Sequence, residues 1–189
     1  MNILKAYTKI LQEELKPAMG CTEPIAIAYA ASILRNALNA VPEKIEIHLS
    51  RNIIKNVKSV IVPATGGMNG IKPAVAAGVI ANAPEKQLEV LIGLNTDDIP
   101  LIKSFIEQCD MKINELESDK TFEVKIYGSS ENDSAFVHLS DRHTNIVSVI
   151  KNGLDITKEY SIYETTEERE HTNRDILTIE KIIEYAKIV

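Results

Sequence analysis

The sequence has no tryptophan, and aromatic residues make up only 5% of its 189 residues. Proteins that bind nucleic acid combine exposed aromatic rings with a basic surface, whereas this chain has a net charge of −6. No basic stripe interrupts that acidic balance, so an anionic membrane surface is not an expected partner either. The composition therefore argues against both nucleic acid and membranes as partners.

Cysteine is also scarce, with two residues, so no disulfide framework is expected and a reducing cytoplasm is the predicted location. The cysteines and the four histidines show no C-x-x-C or H-x-x-x-H spacing, and a self-contained zinc site is not predicted. Arg35 and Asn36 interrupt the alanine-rich stretch at 24–34, so it is too short to span a membrane. The first residues lack the apolar run of a signal peptide.

Hydrophobic and charged fractions of 44% and 25% are typical of a globular domain with a core. Apolar periodicity predicts helices at 2–16, 23–39, 71–82, 97–109 and 175–189. Thr96 is the expected N-cap of the helix at 97–109, and Asp175 is that of the helix at 175–189. Alternation predicts strands at 44–50, 57–62, 112–116, 121–127, 135–139 and 145–150.

Three segments add detail to this pattern. Segment 87–93 fits either a strand or a helix, and a charged turn joins the strands at 112–116 and 121–127. Asn152-Gly153 predicts a hairpin that pairs 145–151 with 154–160. We therefore expect an α+β fold, with buried alanine-rich helices in the N-terminal part packed with a mixed or largely antiparallel sheet. This domain is expected to span 1–163, and a charged connection and a terminal helix are expected over 164–189.

The segment Gly20-Cys21-Thr22-Glu23-Pro24 joins the first two helices. Pro24 suits the first turn of a helix and Thr22 is the expected N-cap, which places Cys21 at the helix N-terminus. That position lowers the pKa of a thiol. Cys21 is then either a small buried structural residue, or a metal ligand or nucleophile, and residue type alone leaves both open. Cys109 has no comparable neighbours and is predicted to be structural.

Two further segments have alternative interpretations. The glycine-rich loop at 63–70 is not a Walker A motif, but its backbone N–H groups precede a helix and could hold a phosphate or carboxylate. The alternative is a plain strand-to-helix turn. His143, in a loop before a strand, is a general-base candidate or a merely structural histidine.

Four segments together suggest a family. They are Gly20-Cys21-Thr22-Glu23-Pro24, Asn52-x-x-Lys55-Asn56, Val62-Pro63-Ala64-Thr65-Gly66 and His143-Thr144-Asn145-Ile146. In this order they resemble the N-terminal half of the UPF0597 family, the L-cysteine desulfidases related to the α chain of iron–sulfur L-serine dehydratases. The resemblance covers essentially the whole chain.

The resemblance implies α,β-elimination of L-cysteine to sulfide, ammonia and pyruvate, or of L-serine, with a [4Fe–4S] cluster held by three cysteines. It implies Cys21 as a cluster ligand, and His143 and Lys55 as catalytic residues for proton transfer and carboxylate neutralisation. The substrate-binding residues it implies are Thr22, Glu23, Asn52, Thr65, Gly66, Thr144 and Asn145.

Two cysteines cannot supply three cluster ligands. The chain is therefore expected to be an N-terminal domain, inactive and without a cluster on its own, that needs the family's C-terminal half in cis or in trans. Its expected small-molecule partner is an amino acid, and homo-oligomers are left open. The alternatives are a non-enzymatic module that binds a small anionic metabolite at the 63–70 loop, and a structural partner domain.

Overall fold

The computed structural model describes residues 3–15, 17–160 and 172–189, and only the backbone of Ile3. Its contacts divide the chain into two compact units, Ala18–Tyr163 and Met1–Pro17 with Glu164–Val189. The predicted charged connection, which begins at 164, lies for the most part outside the described residues.

Helices and strands cover most of the described residues. The helices are α1 (Ile3–Glu14), α2 (Thr22–Leu38), α3 (Arg51–Val57), α4 (Ile71–Ala81), α5 (Ile99–Gln108), α6 (Thr157–Tyr160) and α7 (Ile179–Ala186). The strands are β1 (Lys44–Ser50), β2 (Asp110–Leu116), β3 (Glu123–Ser129), β4 (Ser134–Ser140), β5 (Ile146–Lys151) and β6 (Leu154–Asp155). None of these helices is long and apolar enough to cross a membrane.

The unit Ala18–Tyr163 is built on a six-stranded sheet of order β2-β1-β3-β4-β5-β6, counted over the described residues. β1 and β2 are parallel, and the other neighbouring pairs are antiparallel. A parallel pair needs a long crossover, and here the chain makes it through α3, α4 and α5. The sheet is mixed and helices pack against it, which confirms the predicted α+β class.

α2 is the central helix of this unit, and nearly all of its residues from Pro24 to Leu38 are buried. It packs against α4 and against one face of the sheet. The crossing with α4 depends on Gly78, because a Cβ atom there would lie 2.0 Å from the carbonyl oxygen of Ala28. The small side chains of both helices therefore allow an unusually close approach of their backbones.

The second unit holds α1 and α7. The rings of Tyr7 and Tyr185 meet edge to face at a centroid distance of 5.4 Å. The Glu13 carboxylate accepts hydrogen bonds from the Thr172 backbone and hydroxyl and from Arg174. These bonds, led by that of the Thr172 hydroxyl, lower the pKa of Glu13 to about 2. An ion pair and aromatic packing thus join the first helix to the terminal segment.

The predicted strand at 57–62 is wrong. α3 continues to Val57, and the only pairing in the segment is an isolated bridge between Ile61 and Asn69. The Val62 N–H donates to the Met68 carbonyl at 2.9 Å, so the segment satisfies its backbone within its own loop. The segment between α3 and α4 is therefore a closed loop rather than a strand.

The predicted strand pairing after β4 also needs correction. Only Leu154 and Asp155 pair with β5, because the Asp155 carboxylate then accepts hydrogen bonds from the Thr157 N–H and hydroxyl and starts α6. Strand order, which the sequence leaves open, places β1 between β2 and β3, although these two strands follow one another in the chain. The 87–93 segment begins within a 3₁₀ helix at Pro84–Glu89.

Three predicted helix caps are displaced. Cys21, not Thr22, is the N-cap of α2, and Thr178, not Asp175, caps α7 by accepting a hydrogen bond from the Lys181 N–H. In place of Thr96, Asn95 forms a capping box with Asp98 at the start of a short 3₁₀ helix, Thr96–Asp98, that leads into α5.

Candidate functional site

The candidate site lies at the N-terminus of α2. Cys21 is exposed, and its thiol donates a hydrogen bond to Oε2 of Glu23 at 2.9 Å. Thr22 is the first residue of the helix and Glu23 the second, and Pro24 follows where an intrahelical N–H bond is not required. The backbone turn into the helix thus brings a thiol and a carboxylate together.

Glu23 also joins two distant parts of the chain. The side-chain amide of Asn56, in α3, donates to Oε1 of Glu23 at 3.3 Å. The pKa of Glu23 is lowered, chiefly by the hydrogen bond from Cys21 and further by Asn56 and by the charge interaction with His143. Glu23 is therefore a carboxylate at neutral pH.

The thiol of Cys21 shows the opposite shift. Partial burial raises its pKa, and the hydrogen bond and charge of Glu23 raise it further, while the Glu23 backbone N–H opposes them. The predicted lowering of this pKa is wrong, because burial and the carboxylate outweigh the helix N-terminus. Cys21 is a protonated hydrogen-bond donor in this arrangement.

His143 lies in the turn between β4 and β5. Its ring packs on Phe122 at a centroid distance of 4.5 Å. Burial lowers the pKa of His143, and the negative charge of Glu23 partly opposes that shift. The imidazole is therefore neutral at pH 7 and able to accept a proton.

The rest of that turn is held by Asn145. Its side-chain amide donates to the Ser140 carbonyl at 2.8 Å, and its backbone N–H donates to the Arg142 carbonyl. Thr144 beside it is buried. These two residues shape the turn that presents His143, and their assignment to substrate binding stays a prediction.

The exposed face of α3 carries the next group of predicted residues. Asn52, Lys55 and Asn56 are all exposed and follow the spacing that places side chains on one side of a helix. No ion pair engages Lys55 within the part of the chain that the structure describes. Lys55 therefore has no charged partner among the described residues, and it directly precedes Asn56 in the chain.

The 63–70 loop approaches the same helix start. A Cβ on Gly20 would lie 3.4 Å from Cγ of Pro63, so the two loops touch there. Thr65 is fully buried and donates its hydroxyl to the Val62 carbonyl at 2.7 Å. Gly66 has a φ of +71°, and a Cβ there would lie 3.1 Å from Ile99. Thr65 and Gly66 hold the loop closed, and their contact with a substrate stays a prediction.

The structure thus links Cys21, Glu23 and His143, which were predicted, with Asn56 and Phe122, which were given no role. Asn56 stood in the quoted α3 motif, four residues after Asn52, and that spacing could have identified it. Phe122 carried no sequence signal.

A cluster of the type that the resemblance implies does not fit these residues alone. Within the described ranges no three His, Cys, Asp or Glu side chains are grouped to hold a metal ion. Cys109 is buried, and that burial raises the pKa of its thiol to about 11. Cys21 is the one exposed thiol that the chain offers.

Fold and site define an α+β protein with a thiol–carboxylate–amide–imidazole group at a helix N-terminus. A UPF0597 protein of Desulfitobacterium hafniense is 40% identical over 185 residues, which are 98% of this chain and 43% of that protein. UPF0597 proteins of Treponema denticola and Finegoldia magna are 38% and 40% identical over 97% and 98% of the chain. This similarity supports membership of the UPF0597 family for the part that the chain covers.

The chain spans a little under half the length of these relatives, 43%, 42% and 44% in the three cases. No protein-family profile matches it. No solved structure matches it.

Proposed function

We propose that this chain is the part of an amino-acid α,β-elimination lyase that supplies Cys21 and the groups that hold and deprotonate the substrate. The observation that carries the proposal is the hydrogen-bonded group of Cys21, Glu23 and Asn56 at the exposed start of α2, with His143 close enough for its charge to interact with that of Glu23. The resemblance to the desulfidases and serine dehydratases supplies the reaction class.

The charge states suit an amino-acid zwitterion. Glu23, held as a carboxylate, would bind the substrate ammonium group, and the exposed Lys55 would bind the substrate carboxylate. Asn52 and Thr22 would add hydrogen bonds to the substrate. The neutral imidazole of His143 would accept the Cα proton.

In the elimination, the Cα–H electron pair forms the Cα–Cβ double bond as His143 takes the proton. The Cβ–S bond of cysteine, or the Cβ–O bond of serine, breaks with its electron pair on the leaving group. The aminoacrylate product then reacts with water to give pyruvate and ammonia. The elimination also needs a group that stabilises the negative charge of the leaving sulfur or oxygen, and the described residues do not supply that group.

The resemblance assigns that stabilisation to an iron–sulfur cluster with three thiolate ligands. The described residues do not fit the full ligand set, and we propose Cys21 as a single ligand, with the others outside this chain. The Cys21 proton would be released on binding, since metal ligands are thiolates.

Anaerobic reconstitution with iron and sulfide tests the proposal. Bound iron, sulfide release and pyruvate release from L-cysteine and L-serine are measured for the chain alone and with the remaining part of the D. hafniense relative. Cys21→Ser is the test variant and Cys109→Ala the matched control, since the buried Cys109 is expected to have no ligand role. We expect activity only in the mixture, lost with Cys21→Ser and kept with Cys109→Ala.

The other outcomes distinguish the alternatives. Activity of the chain alone would contradict the claim that its ligand set is incomplete. No iron uptake and no turnover in the mixture would contradict the lyase proposal. A thermal shift with small carboxylates or phosphate but without turnover would favour the anion-binding module.

A further inference from the structure

The sheet of the unit Ala18–Tyr163 has two different faces. Ile45, Ile47 and Leu49 of β1 point to the helix side and are buried. Glu46 and His48 alternate with them on the opposite face, and Tyr127 of β3 is 44% exposed there. This second face therefore presents side chains to solvent.

Four rings follow one another across three strands of that open face. His48 meets Tyr127 at a centroid distance of 5.7 Å, and Tyr127 meets Phe136 at 4.5 Å with planes inclined by 32°. Phe136 lies 6.3 Å from His138 on the same strand. In a chain with so few aromatic residues, Tyr127 and Phe136 form an aromatic floor, and the polar rings of His48 and His138 extend the row at its two ends.

A groove of about 350 Å³ lies on this face, where β1 and β4 begin and β3 ends. Tyr127 and Phe136 line its floor, and four charged residues, Lys44, Glu46, Asp110 and Lys112, line its side. Its volume falls within the range of small-molecule sites, about 300–1,000 Å³. The groove is at the other end of the strands from His143, which follows the end of β4.

The four charges alternate in sign but do not neutralise one another by contact. Lys44 is opposite Asp110, and Glu46 is opposite Lys112, in the β1–β2 register. No ion pair within 4 Å joins either couple, although all four residues are described. Oε1 of Glu46 accepts hydrogen bonds from His48 and Asn114 at 2.8 Å, which fixes its carboxylate at the groove.

We propose that this groove binds an aromatic α-amino acid. A zwitterion matches two cations and two anions, and a single-sign ligand would meet repulsion from one pair. Lys44, Lys112 and Asp110 have no ion-pair partner among the described residues, and Glu46 is paired only with His48. The aromatic ring would stack on Tyr127 and Phe136, its carboxylate would face Lys44 and Lys112, and its ammonium would face Glu46 and Asp110. The inference is independent of the proposed function, because none of these residues belongs to the α2 site.

A titration followed by two-dimensional amide NMR tests the inference on the full chain. L-Phenylalanine is the probe. L-Alanine lacks the ring, 3-phenylpropionate lacks the ammonium and phenethylamine lacks the carboxylate. We expect L-phenylalanine to shift the amides around Tyr127 and Phe136 and to bind about fivefold more tightly than each analogue, which is the upper value for one exposed ion pair.

Variants then locate the binding. The double change Lys44→Gln and Lys112→Gln, and separately Phe136→Leu, are each expected to weaken L-phenylalanine binding about fivefold. Lys103→Gln, on α5 and outside the groove, is the matched charge control and is expected to leave it unchanged. Circular dichroism confirms the fold of each variant, and Tyr127→Leu replaces Phe136→Leu if that variant is unfolded.

Three results would overturn the proposal. One is the absence of any saturable shift with L-phenylalanine. Another is equal binding of 3-phenylpropionate or phenethylamine, which would remove the zwitterion argument. The third is binding that survives both groove variants, which would place the ligand elsewhere.

Discussion

The Cys21 thiol donates a hydrogen bond of 2.9 Å to the Glu23 carboxylate, and the pKa values of the two groups shift in opposite directions. For Glu23 this bond is the largest cause of its lowered pKa. For Cys21, burial acts first and the Glu23 carboxylate adds to it. At neutral pH the proton of the pair therefore lies on the Cys21 sulfur. A ligand that displaces the Glu23 carboxylate from the thiol would remove one of the causes that keep it there.

Replacing Glu23 by Gln is expected to lower the pKa of Cys21. The negative charge of Glu23 and its hydrogen bond both stabilise the protonated thiol, so removing the charge and weakening the acceptor favours the thiolate. The pH dependence of alkylation by iodoacetamide measures the shift, in a Cys109→Ala background so that only Cys21 reacts. An unchanged profile would mean that the 2.9 Å bond does not form in solution.

Asn56→Ala is expected to raise the pKa of Glu23. The amide donates to the charged form of the carboxylate, so its loss removes a stabilising hydrogen bond. Carboxyl-carbon NMR titration of Glu23 checks the direction. Asn52→Ala is the matched control, since Asn52 lies one turn earlier on the same exposed face and has no bond to Glu23 among the described residues. The same shift in both variants would contradict a specific role of Asn56.

His143 is expected to titrate below 6.5, and two changes should move its pKa in opposite directions. Phe122→Leu opens the packing around the ring and should raise the pKa. Glu23→Gln removes a favourable negative charge and should lower it. Proton NMR of the imidazole measures both changes. Movement in the same direction would contradict the assignment of causes.

The lowered pKa of His143 also has a consequence for stability. The folded chain holds the imidazole neutral, so this contribution to stability is fully present above the unfolded pKa, near 6.5, and is lost as pH falls through the folded pKa. Urea unfolding at pH 7.5 and at pH 5 should show a larger loss in the native chain than in His143→Gln. An equal loss in both would show that other groups account for the acid sensitivity.

The sequence predicted the elements with strong local patterns. The predictions of α2 and β1 were correct, because a long apolar segment and an alternating segment bounded by turns each fit few other secondary structures. The 57–62 segment failed because its four apolar residues also suit a helix end and a loop: Val57 ends α3, and the backbone of Val60 and Val62 is bonded within the loop. The parallel pairing of β1 with β2 needs contacts far apart in the chain, which periodicity does not contain.

The candidate site also has a part that local sequence could predict and a part that it could not. Cys21 and Glu23 are two residues apart, so their proximity is a local property of the helix start. Asn56 and His143 reach Glu23 only because α3 and the β4–β5 turn fold against α2. The direction of the Cys21 pKa was missed because the dipole of a helix is a general effect, whereas burial and one carboxylate are particular to this fold.

Gly78→Ala is expected to lower the free energy of unfolding by about 3 kcal/mol or more, or to prevent folding. The added Cβ would lie 2.0 Å from the Ala28 carbonyl oxygen, and backbone of α2 cannot move aside as the end of a flexible side chain would. Gly93→Ala is the matched control, since a Cβ there meets nothing within 4 Å, and a change of about 0.5 kcal/mol or less is expected. Urea denaturation measures both variants. Similar stabilities would mean that α2 and α4 do not cross closely at Gly78, and the position of the whole Cys21 helix start relative to the 63–70 loop would then need revision.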